Sequence, residues 1–187
     1  MTNQPKPQIV LASASIGRKS LLNKLDIPFS IIPSTINEDA IVDASLIKML
    51  EKRASAKIED VIKRLASSEL ALRKDDYKQY TLNPNPCLII SADSMALLRQ
   101  PEGRLRNGML KPEYKAYGKV KNRKEAHEMV QKLMGKTHEF ATATDIILSN
   151  LSDSSNLKIT NRWQAATTTK VTLRTLTDRE VHQYTSL

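Results

Sequence analysis

The chain has 187 residues, 40% of them hydrophobic and 26% charged, which suits a folded domain with its own core and excludes a disordered polyelectrolyte. Aromatic residues make up 4%, so a stacking platform for single strands is not expected, and the lone cysteine, Cys87, excludes an internal disulfide. The net charge is +9, and the stretch from Arg99 to Lys124 carries +7 of it, nine basic residues against two acidic ones.

Such a patch points to an anionic partner (a nucleotide, RNA or another polyanion), with a solvated basic loop as the plain alternative. No run of 18 apolar residues occurs, and "MTNQPKPQIVLASAS" lacks the apolar core of a signal peptide, so a cytoplasmic location is expected.

"QIVLAS" (8–13) reads as a buried strand, and Leu21, Leu22 and Leu25 place a helix after it, stopped before Pro28. "FSIIPS" (29–34) reads as a second strand and "TINEDAIVDAS" (35–45) as an acidic turn. From Leu46 to Arg73, Ile47, Leu50, Ala54, Ile58, Val61, Ile62 and Leu65 repeat at helical spacing. Residues 74–86 are polar with two prolines and read as a loop, whereas "CLIISAD" (87–93) is a strongly apolar strand that ends at Asp93. This alternation of strands and helices predicts an α/β domain.

Pro101, Gly103, Gly108, Pro112 and Gly118 make residues 99–121 an extended basic loop. Residues 122–135 form a helix with Gly135 as its C-terminal cap. Residues 137–149 and 162–176 read as long strands paired across a polar turn. A last helix opens at Thr177, with Glu180 at the capping-box position. A single domain over 1–187 is expected.

The first candidate for chemistry is "SASIGRKSLL" (13–22). The N-terminus of a helix carries partial positive charge and free N–H groups, yet Arg18 and Lys19 stand there and no Asp or Glu occurs from Met1 to Leu25. Ser13 and Ser15 can cap the helix, and together with the two cations they form a phosphate cradle or, equally, an ordinary basic helix start. The spacing is not that of a P-loop. Asp93 can hold a metal ion or take a proton from water, or it starts a turn. Glu38 is a second carboxylate for the same metal, or an exposed turn residue. His127, His138 and His182 lack metal-ligand spacing, so zinc is not expected, and Cys87 in a buried strand should be inert.

These pieces, in this order, resemble the Maf family of nucleoside triphosphate pyrophosphatases, the septum formation inhibitor proteins. "LASASIGRKSLLNKLDIPFSIIPS" is similar to the family's Leu-Ala-Ser-x-Ser-Pro-Arg-Arg opening and Leu-Leu helix. Lys57 in "ASAKI" lines up with the family's helical lysine, and "ISADS" puts Asp93 and Ser94 at its Ala-Asp-Thr strand end. "GKV" with Lys119 matches Gly-Lys-Pro after the basic insertion, and Asn37-Glu38 stands at the family's Asp-Glu. "HEMVQKLMGKTHEFATATDIIL" resembles the family's later helix and strand. The chain departs from the pattern at Ile16-Gly17, Asn37 and Val120, and by this resemblance it is expected to lack the family's C-terminal segment.

The resemblance implies an inosine triphosphate pyrophosphatase-like α/β fold, a mixed twisted sheet flanked by helices around a central cleft. It implies hydrolysis of a nucleoside triphosphate, non-canonical or pyrimidine, to the monophosphate and pyrophosphate. In this reading Asp93, Lys57 and Lys119 are catalytic. Ser13, Arg18, Lys19 and Ser94 bind substrate. Glu38 and Asp93 hold Mg²⁺ or Mn²⁺, since hard oxygen donors suit those ions. The expected partners are the nucleotide, RNA on the basic loop and a second copy in a homodimer, with no membrane. One alternative is a catalytically weak or inactive nucleotide- or RNA-binding protein on the same fold within a larger assembly. Another is a basic scaffold protein with no nucleotide site.

Overall fold

β1 (Gln8–Leu11) turns Val10 and Leu11 inward as the first strand of a parallel group. β2 (Phe29–Ile31) runs parallel to it, with Ile9 opposite Phe29 and Leu11 opposite Ile31. β3 (Cys87–Arg99) runs parallel on the other side, with Gln8 opposite Cys87 and Leu11 opposite Ile90. Parallel neighbours need crossovers. α1 (Ile16–Asn23) lies between β1 and β2 in the chain, and α2 (Leu46–Ala66) between β2 and β3. The computed structural model describes residues 6–66, 86–101, 103, 109, 113–150 and 158–186.

The chain divides into two units: Met1–Asp93 with Ala143–Ala166, and Ser94–Thr142 with Thr167–Leu187. In the first, Ile58, Val61 and Leu65 of α2 close onto Val10, Ala12, Ile32, Cys87, Ile89 and Ile147. This is the apolar stripe legible in the sequence, and its burial is the main force holding α2 to the sheet. β5 (Thr137–Asn150) alternates, burying Ala141, Ala143, Asp145, Ile147 and Ser149. β6 (Lys158–Thr172) is exposed along its whole length and ends the strand order β2-β1-β3-β5-β6 of a mixed six-stranded sheet.

In the second unit, β4 (Tyr114–Tyr117) pairs antiparallel with β3, Ala96 opposite Tyr117 and Arg99 opposite Tyr114. α3 (Arg123–Leu133) starts at Asn122, whose side chain accepts from the Glu125 N–H. Leu133 packs with Ala96 and Leu98, and Tyr117, Met129 and Leu173 join them. Gly135 follows at φ 70°, a left-handed position where a Cβ would come to 3.0 Å from Thr175 Oγ1. α4 (Asp178–Tyr184) opens with the expected capping box between Thr177 and Glu180.

Several boundaries differ from the sequence reading. β3 does not end at Asp93; it continues to Arg99, because Met95–Leu98 are all buried. Residues 114–117, read as loop, are a strand, since their backbone finds partners on β3. β2 stops at Ile31, although Ile32 still donates to the Leu11 carbonyl at 3.0 Å. β6 spans 158–172 rather than 162–176. Helix over residues 67–73, the loop through 85, most of the basic stretch 102–112 and the turn 151–157 lie outside the described residues.

Candidate active site

The alternation of β3 decides which of its residues meet α2. Side chains two apart share a face, so Cys87, Ile89, Ser91 and Asp93 form one row. Cys87 and Ile89 enter the core beneath α2, and Ser91 Oγ donates to the Ala54 carbonyl at 2.6 Å. Asp93 is next in that row, and Lys57 lies one helical turn beyond Arg53 on α2. The two meet: Lys57 Nζ donates to Asp93 Oδ1 at 2.8 Å and to the Ala92 carbonyl at 3.2 Å. Both residues are buried, 5% and 6% exposed. Such partners replace the hydration that an ammonium loses on burial.

Glu38 arrives from the other side. It begins a single 3₁₀ turn, Glu38–Ala40, capped by the Asn37 side chain, and its Oε2 stands 3.1 Å from the same Lys57 Nζ. One lysine nitrogen therefore joins the two carboxylates that the sequence set apart as a metal pair.

Arg53 was not foreseen. Its Nη1 is 3.8 Å from Asp93 Oδ2, and its Nε donates to the Ile41 carbonyl at 3.1 Å. It belongs to a polar stripe on α2. Asp60 accepts from the backbone N–H of Thr35 at 2.9 Å, and Arg64 donates to the Pro33 carbonyl at 2.6 Å. Residues 53, 57, 60 and 64 are three or four apart, so they share one side of the helix. Each grips the segment 33–41 or a carboxylate beside it. The signal was present in the sequence as a charged stripe bordering the apolar one.

α1 supplies the third cation. Ser15 is its N-cap, accepting from the Arg18 N–H, and Ser13 accepts from the Ser15 N–H at 3.3 Å and from Arg18 Nη1 at 2.9 Å. Burial lowers the Arg18 pKa, and the fields of Asp93 and Glu38 pull it back up. Arg18 thus feels both carboxylates. Lys19 is exposed on α1.

Two further candidates lie in the second unit. Ser94 Oγ is 2.9 Å from Thr142 Oγ1, and Lys119 is exposed beyond β4. His127 and His182 meet there as a tilted pair, ring centroids 5.0 Å apart and planes at 48°, a proximity their sequence spacing does not reveal. Burial pushes the Cys87 thiol up to about 11, in keeping with an inert core cysteine.

Among the described residues no group of three or more His, Cys, Asp and Glu could hold a metal ion. Two hard carboxylates are nevertheless what a Mg²⁺-type ion takes from a protein when phosphates and waters complete its shell. Glu38 and Asp93, both brought to the Lys57 nitrogen, offer hard oxygen donors of that kind.

Fold and site together describe an α/β protein with a mixed-charge polar centre built on the parallel strands β1, β2 and β3 with α1 and α2. The chain belongs to the family of Maf-like proteins, whose model matches residues 8–187. It is similar to the dTTP/UTP pyrophosphatase of Bdellovibrio bacteriovorus, 27% identical over 179 residues, 96% of this chain and 74% of that protein. A dTTP/UTP pyrophosphatase of Lachnoclostridium phytofermentans is 30% identical over 177 residues, 95% of this chain and 71% of the relative. One from Akkermansia muciniphila is 29% identical over 181 residues, 97% and 73% of the two chains.

Proposed function

We propose that this protein is a nucleoside triphosphate pyrophosphatase, splitting its substrate between the α- and β-phosphoryl groups to give the monophosphate and pyrophosphate. The observation that supports this reading best is the Glu38–Lys57–Asp93 arrangement, with Arg18 in the electrostatic field of both carboxylates. The relatives are named for dTTP and UTP, so a pyrimidine nucleotide is the first substrate to try.

The roles follow from residue chemistry. Arg18, with Lys19 beside it and Ser13 beneath it, holds phosphate oxygens at the start of α1. Lys57 counters the charge that grows as pyrophosphate leaves, and Lys119 is assigned the same task. Ser94 is assigned to the substrate. Asp93 orients the attacking water and accepts its proton, while the bond to the departing bridging oxygen breaks and that oxygen keeps the electron pair. Glu38 and Asp93 would hold the divalent ion, Mg²⁺ or Mn²⁺, which supplies charge neutralisation at the phosphates.

Phosphorus NMR of a reaction with UTP or dTTP and Mg²⁺ tests the reading. Monophosphate and pyrophosphate are expected; diphosphate and inorganic phosphate would reject it. A separate proposal concerns the basic stretch 99–124, for which RNA is the candidate ligand. Affinity for RNA should then fall steeply with salt, in proportion to the phosphates neutralised.

A further inference from the structure

Asp93 lies among cations and largely out of water. Lys57 Nζ takes Oδ1 at 2.8 Å and Arg53 Nη1 stands 3.8 Å from Oδ2, while the Asp93 side chain is 9% exposed. Glu38 shares Lys57 at 3.1 Å. Arg18 adds its charge to the field at both carboxylates. Three cations thus face two carboxylates, which leaves one positive charge in excess. A divalent cation arriving alone meets repulsion at the carboxylates that are to hold it. A triphosphate arriving with the ion changes the balance, because its oxygens can take over the guanidinium and ammonium groups.

Arg53 is suited to that exchange. Its contact with Asp93 is long for an ion pair, whereas its Nε is anchored on the Ile41 carbonyl at 3.1 Å. The anchored end fixes the side chain, and the Nη end remains able to leave the carboxylate for a phosphate oxygen. Arg geometry favours that, since a planar fork can hold a backbone carbonyl and an oxyanion together.

We propose that Arg53 is a counter-cation of Asp93 that closes this carboxylate to a divalent ion until a triphosphate draws its guanidinium away, so that metal and nucleotide bind together and not in succession. This rests on the hydrolase reading for the identity of the anion, and on the site geometry alone for the effect of Arg53 on the metal. It also gives the chain a guanidinium beside Asp93 that comes from α2, while position 17 at the start of α1 is a glycine.

The test is a Mn²⁺ titration of the intact chain followed by electron paramagnetic resonance, first with the ion alone and then with a non-hydrolysable α,β-imido analogue of dUTP. The Arg53→Met variant should bind Mn²⁺ alone about tenfold tighter than the wild type, because one unit charge a few ångströms from the ion has been removed. Arg53→Lys, which keeps the charge, should stay within about twofold of the wild type on the same electrostatic argument. In the wild type the analogue should tighten Mn²⁺ binding by about tenfold or more, and Mn²⁺ should tighten the analogue by the same factor. The proposal is overturned if Arg53→Met gains no affinity for Mn²⁺, or if Arg53→Lys gains as much as Arg53→Met. Equal Mn²⁺ affinity of the wild type with and without the analogue overturns it as well, and that arm needs no variant to fold. None of these measurements requires turnover. Absence of pyrophosphate release alongside the expected Mn²⁺ behaviour rejects the hydrolase reading alone.

Discussion

Lys57 and Asp93 are 36 residues apart in the chain and 2.8 Å apart in the fold, with both side chains almost wholly out of water. The pair exists because two periodicities coincide: every second residue of β3 and every third or fourth residue of α2 face the same layer. The apolar members of those two rows form the core, and where Lys57 meets Asp93 the rows carry charge instead.

Substituting Asp93 should stop turnover without unfolding the chain. In Asp93→Asn an amide oxygen still accepts from Lys57, and Glu38 still balances the ammonium. A melting experiment should show a folded protein weakened by about 1–3 kcal/mol, while kcat drops by about 10²–10⁴, the range of a lost general base. A variant within threefold of the wild-type kcat would remove Asp93 from the chemistry.

Lys57→Met should cost more stability than Asp93→Asn, because it leaves Asp93 buried beside one distant guanidinium. About 3–5 kcal/mol is the usual penalty for removing one partner of a buried pair. In urea denaturation the double variant Lys57→Met, Asp93→Asn should lose less than the two single losses combined. Strict additivity would show that the two groups do not interact.

How much of this was legible beforehand depended on whether the signal was local. The caps were: Ser15, Gly135 and the Thr177–Glu180 box each act within a few residues of their own position. The stripe of Leu50, Ala54, Ile58, Val61 and Leu65 was also plain, because helical burial repeats along the sequence. The true length of β3 was not, since an aspartate inside an apolar strand looks like its end until Lys57 is seen to neutralise it. β4 was hidden because its four residues gain strand geometry only from pairing with β3. Arg53 stood in the sequence only as one member of a charged stripe; its partners, Asp93 and the Ile41 carbonyl, are set by tertiary structure.

Arg18 should matter to the transition state more than to the fold. It is half-buried, donates to Ser13 Oγ at 2.9 Å, and is costly to keep charged in that position. Arg18→Met should lower kcat/KM by about 10²–10³, the loss seen when one oxyanion donor is removed, with a small change in melting temperature. Steady-state kinetics with the nucleotide varied would measure it. An unchanged kcat/KM would place the phosphates elsewhere.

The second unit offers a pH test independent of catalysis. Arg174, at 2.7 Å, and the cap at Thr177 hold the Glu180 carboxyl down at about 2, against an ordinary 4.5. A depressed carboxylate stabilises the fold above its unfolded value, and that contribution fades as pH falls from about 4.5 to about 2. Wild type should therefore melt above Glu180→Gln at pH 7, and the two curves should converge at the acid end. A gap as wide at pH 2 as at pH 7 would contradict the pairing.

Cys87 should be silent towards thiol reagents in the folded state, because burial pushes its thiol up to about 11 and keeps it protonated near neutrality. Ellman's reagent at pH 8 should react only at the rate of unfolding. Immediate stoichiometric reaction would show that the strand is not covered as described.

The most direct measurement is pyrophosphate release from UTP and dTTP with Mg²⁺, by the wild-type chain and by Asp93→Asn in the same assay. Release by the wild type that falls at least a hundredfold in the variant is the expected result. Equal release by both, or none from any nucleoside triphosphate, would contradict the assignment of the Glu38–Lys57–Asp93 centre to phosphate-anhydride hydrolysis.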